Sequence, residues 1–365
     1  MSPCNRPITF TFEHQVKSLI YYHTGEYISA QALLHDMQND ESVKYLINCP
    51  ESFGQSTFYE ANSSRGVTQM LEVFDRLSRK VSKCLGIAHA ELGNLVAIDG
   101  SLIDASLSMT WADYTDSCNK AKVHLGFDLN RSIPTKLYLT EGKEAERPFV
   151  SCILEPGQTG VVDRGYQDHG RFDEWIDESK HFVARLKNNT KWDIIDKLPF
   201  DKGGNIFFFA KVQLGDENHK MRHPVYLVGF HVRKKKFWVS TDRADLSFPV
   251  SRRNDTAEQI AFIYSLRWEI EKLFSWWKRH LKVYHLISRN HHGTLLQLLA
   301  GLITYLLLVL YCYQQYGEKY PSIRRLRQLR CHIHQEMGTK VYIVNIQIDI
   351  IAIALLLLFY FDAIF

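Results

Sequence analysis

The chain predicts an α/β protein: a mixed sheet flanked by helices, with a helical N-terminal domain before it and a β-rich insertion inside it. Three patterns carry this reading. Apolar residues recur at helical spacing in Phe12–Tyr22, Ser29–Met37 and Val67–Leu85. From Leu95 the pattern changes to short apolar runs, at 95–99, 122–129, 134–140, 160–163 and 182–187, as expected of core strands. A third group, at 205–214, 223–232 and 236–241, is rich in Phe, Val and Tyr and broken by loops at Asp216–Asn218 and Arg233–Lys235.

The N-terminal helices include the stretch Gly54-Gln-Ser56-Thr57-Phe58, where Ser56 and Thr57 stand at a helix start. There a hydroxyl either caps the helix or, with the backbone N–H groups, donates to a phosphate. A helix-turn-helix-like DNA-binding role and a plain helical support both fit this region. The run Leu95–Ile98 reads as a buried strand delivering Asp99 at its tip, before Gly100-Ser101. Gly160–Val162 delivers Asp163 in the same way, before Arg164-Gly165-Tyr166. Strand ends hold catalytic groups rigidly yet within reach of substrate, although Asp before Gly is also a common turn former. Lys122 and His124 lie along a strand, and a helix is expected around 168–178. In the insertion, Phe237 or Trp238 is placed either to wedge between unstacked bases or to pack as a strand aromatic.

Past the insertion, Tyr264, Arg267, Glu271 and Lys278 follow one another at offsets of three, four and seven. At 100° per residue all four fall within an arc of about 60° on one helix. Glu269 points about 160° away from Glu271, so the helix selects Glu271. An Arg/Glu pair at this spacing is also ordinary decoration of an exposed helix. Two strand-tip Asp residues beside it complete an oxygen-donor set suited to a hard divalent cation. Next, Leu295–Tyr313 is apolar and nearly long enough to span a membrane, but it carries Gln297, Gly301 and Thr304. These residues leave a buried helix and a membrane span both open. Ile350–Phe361 is too short to span and is left as a strand, a buried helix or an oligomer contact.

At 365 residues, 45% apolar and 23% charged, the chain has the composition of a globular protein of two or three modules. A net charge of +4 is only mildly basic, so any nucleic-acid surface is a local patch. Candidates are Arg233–Lys236, Arg252-Arg253, Lys278-Arg279 with Lys282, and Arg324-Arg325 with Arg327 and Arg330. The seven cysteines (4, 49, 84, 118, 152, 312 and 331) are scattered and odd in number. That fits reduced cytosolic thiols and excludes a disulfide framework or zinc ribbon; Cys331-His332-Ile333-His334 has no second ligand pair at finger spacing. The N-terminus shows no signal-peptide pattern.

Asp99, Asp163 and Glu271 resemble the DDE triad of bacterial cut-and-paste transposases with an RNase H-like core. Tyr264-x2-Arg267-x3-Glu271-x6-Lys278 resembles the YREK signature of the insertion-sequence-four family without a gap. Lys122–Asp128 with Ile133-Pro134 and Leu139–Gly142, Val162–Tyr166 with Phe182–Lys187, and Arg267–Phe274 are similar to that family's core blocks. The resemblance runs from about residue 52 to 310. After Thr140 the family often carries an Asp; this chain has Glu141, Glu144 and Glu146, none at a triad position. The resemblance does not extend to the tail beyond Gly317.

The resemblance implies a division into a helical N-terminal DNA-binding domain (1–93), an RNase H-like core in two parts (94–192 and 255–316), the β-rich insertion (193–254) and a C-terminal segment (317–365). It implies Mg2+, two ions per site with Mn2+ able to substitute, held by Asp99, Asp163 and Glu271, with Asp99 bridging. It implies DNA contacts by Tyr264, Arg267 and Lys278, with Arg164, Tyr166, Ser56, Thr57 and Trp238 as further contacts. The expected partners are double-stranded DNA, as terminal inverted repeats and target, and a second copy in a synaptic homodimer. A bacterial or archaeal cytoplasm, at the nucleoid, is the expected location. The activity expected is hydrolytic cleavage at element ends followed by 3′-OH strand transfer. Alternatives are a structure-specific nuclease without strand transfer and an inactive DNA-binding remnant.

Overall fold

Alternate residues of β1 (Asn94–Ala105) enter two different cores, which sets the layers of the molecule. The computed structural model describes residues 8–25, 27–48, 54–115, 117–243 and 256–335, the last five by backbone alone. In it Leu95, Ala97 and Ile103 join one apolar cluster, and Val96 and Ile98 join another. A strand buried on both faces belongs at the centre of a sheet covered on both sides. Antiparallel to β1 runs β3 (Cys118–Asp128), which also pairs with β4 (Ile133–Glu141) and the short β2 (Asp113–Thr115). On the other side of β1, β5 (Gln158–Val162) and β6 (His181–Arg185) run parallel to it in turn.

Beyond β6 the sheet continues without a break. β10 (Lys235–Thr241), β9 (Val225–Val232), β8 (Ile206–Leu214) and β7 (Trp192–Lys197) add to it in that order, all antiparallel, giving ten strands. The β-rich insertion is therefore an extension of the core sheet.

Helices cover both faces. α1 (Phe12–Thr24), α2 (Ala30–Asn39), α3 (Glu41–Ile47), α4 (Gln55–Ser64) and α5 (Val67–Cys84) precede the sheet. The first three start at side-chain caps, Thr11, Ser29 and Asp40, each accepting from a backbone N–H of the first turn. α6 (Arg147–Ile153) and α7 (His169–Asp177) place Val150, Phe172 and Trp175 in the cluster that contains Val96. The opposite face is covered by α5, α8 (Thr256–Leu266), α9 (Trp268–His280) and α10 (His291–Tyr316). α11 (Ile323–Gln335) packs on α9 and α10.

Among the described residues α10 is the one helix long and apolar enough to cross a membrane, and 94% of its most apolar window is buried inside the fold. Its polar side chains are satisfied there. Gln297 accepts from the Ile287 amide and donates to the His285 carbonyl, and Thr304 donates to the Ala300 carbonyl. Gly301 lets Trp277 approach: a Cβ there would lie 2.6 Å from the indole nitrogen. A helix as apolar as a membrane span is thus a core helix here.

Three sequence expectations are corrected. β1 does not end at Asp99, because Gly100–Ala105 keep pairing with Asn119–His124. Asp99 is mid-strand, at the point where its parallel neighbour β5 has stopped. The stretch carrying Tyr264 to Lys278 is not one helix: it breaks at Arg267, where tight bonds from Arg267 N to Tyr264 O and from Ile270 N to Arg267 O replace helical spacing. β7 was not expected. It is an edge strand with Ile194 and Ile195 exposed among charged residues, so it lacks the apolar run that betrays a buried strand. Arg252, Arg253 and Ile350–Phe361 lie outside the described residues, as do the side chains of Cys331, His332 and His334.

Candidate active site

Strand register brings the two Asp residues together. Ala97 of β1 is aligned with Val161 of β5, and Val161 with Val183 of β6. Two residues further along each strand stand Asp99, Asp163 and Arg185, in a row. Side chains two apart share a face, and Ala97, Val161 and Val183 all belong to the cluster covered by α8 and α9. Both carboxylates and the guanidinium therefore point towards those helices.

The contacts follow. Arg185 Nη1 lies 3.4 Å from Asp163 Oδ1, and the Tyr264 hydroxyl donates to the same oxygen at 3.0 Å. Arg267, at the break between α8 and α9, reaches Asp99 Oδ2 with Nη1 (3.5 Å) and Glu271 Oε1 with Nη2 (2.6 Å). One guanidinium thus ties the strand acid to the helix acid. Phe237 of β10 supports the arrangement, its ring 4.4 Å from the Arg185 guanidinium carbon.

The two Asp carboxyls are pushed in opposite directions. Burial drives Asp99 up to about 7; Arg267 and the Gly100 amide oppose this, while Glu146 and Glu271 add to it. Burial also acts on Asp163, but the Arg164 amide, Arg267, the Tyr264 hydroxyl and Arg185 outweigh it and hold that carboxyl below its ordinary range.

Glu146, expected to lie outside the site, stands in it. It fills the space over Gly100, where a Cβ would meet its Oε1 at 2.7 Å, and that oxygen is 3.6 Å from Lys122 Nζ. The signal in the sequence is the pairing of a glycine directly after Asp99 with a carboxylate six residues past Thr140. Only the folded contact makes it readable.

The other expected residues divide. Arg164 is exposed and, with Asp163, Lys187 and Asn188, lines an open cavity of about 500 Å³. Tyr166 is 1% exposed: the turn Arg164–Tyr166 folds its ring into the core, with its hydroxyl near Glu146 and Asp99, so it offers no outer surface. Lys278 is half-buried and donates to the Leu102 carbonyl of β1, away from the carboxylates. Trp238 packs against Trp192, Phe207 and Phe208. Ser56 and Thr57 lie at the start of α4, and among the described residues no hydrogen bond joins them to the carboxylates. His124 stacks on Phe149 and bonds Thr140 Oγ1, and burial, then Lys122, pushes it down to about 4, as befits a neutral core histidine.

Among the described residues no three Asp, Glu, His or Cys side chains converge closely enough to hold one metal ion, and Arg267 bridges Asp99 and Glu271. The donor chemistry nevertheless suits a hard divalent cation. All the acids are oxygen donors, and Glu146 and Glu271 add to the burial that raises the proton affinity of Asp99.

The fold and site define an α/β protein whose sheet carries a carboxylate-rich, cation-lined centre under two helices. Residues 91–307 match the family described as the Transposase DDE domain, more than half of the chain, and the chain belongs to that family. The matched stretch contains Asp99, Asp163 and Glu271. The chain is 27% identical over 271 residues to a putative transposase, y4zB, of Sinorhizobium fredii, covering 71% of this chain and 72% of that one. It is 28% identical over 264 residues to a putative transposase for insertion sequence element IS4SA of Synechocystis, with coverage of 71% and 72%. It is 25% identical over 288 residues to a probable transposase for insertion sequence element IS5377 of Geobacillus stearothermophilus, with coverage of 76% and 73%. A solved piggyBac transposase synaptic complex with hairpin DNA is similar at a TM-score of 0.44 and 11% identity, over 97% of this chain and 79% of that one.

Proposed function

We propose that this chain is the transposase of an insertion sequence, cutting DNA at the element's ends and joining each freed 3′-hydroxyl to target DNA. The observation that carries the reading is the register-matched pair Asp99 and Asp163, joined through Arg267 to Glu271 within the family-matched stretch. The core is then RNase H-like, and Asp99, Asp163 and Glu271 would hold two Mg2+ ions, or Mn2+. When bound, such ions supply Lewis acidity at the scissile phosphate and a nucleophile at neutral pH.

The chain's own groups do the rest. Tyr264 and Arg185 fix the Asp163 carboxylate, so that its oxygens keep one orientation. Arg164 and Lys187, on the rim beside Asp163, meet the DNA backbone and bring a phosphodiester over the carboxylates. Arg267 is a largely buried cation shared between the strand acid and the helix acid, and it keeps both within reach of the same phosphate. In the first reaction a water oxygen attacks phosphorus in line, and the bond to the 3′ oxygen breaks. In the second that 3′-hydroxyl attacks a target phosphodiester, one P–O bond forming as another breaks, so a single site serves both. In this reading the helical segment 1–93 grips element-end DNA, the insertion 193–254 supports it, and two copies act together at the bacterial or archaeal nucleoid.

The test is a cleavage and joining assay on DNA carrying the sequences that flank the gene, with Mg2+, using wild type and Asp163→Ala. Cuts at repeat ends plus joined products, absent from the variant, are expected. Cutting without joining would replace the transposase with a nuclease, and binding without cutting would mark an inactive copy.

A further inference from the structure

We propose that α11 and the outer face of α9 form a phosphate-binding groove that seats a DNA strand beside Glu271. This gives α11 a role in DNA binding, and it rests on the transposase reading. The groove holds about 630 Å³; along α9 its wall runs from Trp268 and Glu271 to Arg279, and Arg324 and Arg327 line it from α11.

Its charge is uneven in an informative way. In the run Arg324-Arg325-x-Arg327-x-x-Arg330, two arginines are structural. Arg325 bonds Glu318 at 2.8 Å and lies over the Tyr316 ring, and Arg330 is 1% exposed beside His280. The other two, Arg324 and Arg327, sit one turn apart and exposed on the groove wall, which Arg279 of α9 also lines. Among the described residues no carboxylate pairs with any of these three. Lys272 already pairs with Glu269, and Glu271 with Arg267.

The crowding is felt by His280: burial, then Arg327, Lys282 and Arg279, pushes its pKa down. Holding several unpaired cations together costs free energy unless an anion enters. An elongated, open groove with repeated guanidinium groups fits a polymer of phosphodiesters. Trp268, 59% exposed at the carboxylate end, offers a ring face to a base.

The experiment uses the full chain in EDTA, so that nothing is cut, and reads fluorescence anisotropy of labelled duplex and single-stranded DNA across a salt series. Arg324→Gln/Arg327→Gln should weaken binding and flatten the slope of log K against log salt. The expected change is about 1.8 for duplex, at about 0.9 per lost phosphate contact, and about 1.4 for a single strand. Arg324→Lys/Arg327→Lys should restore the slope, since it keeps the charge, and Arg279→Gln should flatten it by about half as much. Whichever DNA form shows the larger change in affinity is the form the groove seats. Wild-type binding with an unchanged slope in the Gln variants would overturn the groove and leave the transposase reading standing. A wild type that binds no DNA would overturn both.

Discussion

Replacing Asp99 by Asn should make the cation-free protein more stable at pH 8 than the wild type, while destroying its activity. The carboxyl is pushed up to about 7 in the fold, against an ordinary value of 3.8. A group whose proton affinity is raised by folding contributes stability that is present below the unfolded value and lost as pH rises through the folded one. Three units correspond to about 4 kcal/mol in total, of which about 2–3 kcal/mol falls between pH 5 and pH 8. Asn is neutral throughout and keeps the shape; its single amide oxygen can accept from the Gly100 amide or from Arg267 but not from both, a cost that is the same at either pH, so the variant escapes the pH-dependent loss. The assay is chemical unfolding in EDTA of both proteins at the two pH values. The difference between variant and wild type should grow by about 2 kcal/mol in the variant's favour on going to pH 8. A pH-independent difference, or one that moves against the variant at pH 8, would refute the claim that burial raises the proton affinity of Asp99.

Three further outcomes follow from particular contacts. Glu146→Gln removes a like charge beside Asp99 without changing its size; it should raise the unfolding midpoint in EDTA at pH 8 and slow DNA cleavage at unchanged DNA affinity. Gly301→Val forces a side chain against Trp277 and Val283 and should cost about 1–3 kcal/mol, read as a lowered melting temperature. His23 is wholly buried between the carbonyls of Leu281 and Gln297, and burial holds it near 4 in spite of them. Its depressed value means stability present above about 6.5 and lost as pH falls towards 4, up to about 3 kcal/mol. His23→Gln should show a shallower acid loss in urea unfolding over that window.

The central strands were legible because burial on both faces of a sheet demands unbroken apolar runs, which Leu95–Ile98 and Gly160–Val162 supply. The acids were legible as types and spacings. Their meeting was not, because register is a long-range property: no local pattern says that Ala97 lies beside Val161. For the same reason the strand was expected to stop at Asp99, since Gly100-Ser101 reads as a turn, whereas β3 supplies hydrogen bonds to Ala105. The helical arc from Tyr264 to Lys278 grouped the right residues for a reason only partly realised. The chain breaks at Arg267, and the four side chains reach three different places: Asp163, the Asp99–Glu271 pair and the Leu102 carbonyl. Glu146 was invisible because its place depends on the absence of a Cβ at Gly100, on another strand.

The most direct test of the account is DNA cleavage at element ends in Mg2+ by single variants of the three acids, beside one of their neighbour. Asp99→Asn, Asp163→Asn and Glu271→Gln should each abolish cutting about as completely as all three together, since groups that act as one unit are not additive. Glu269→Gln, whose carboxylate pairs with Lys272 two positions from Glu271, should cut normally. A Glu271→Gln protein that still cuts, or a Glu269→Gln protein as dead as the triad variants, would contradict the assignment of the site.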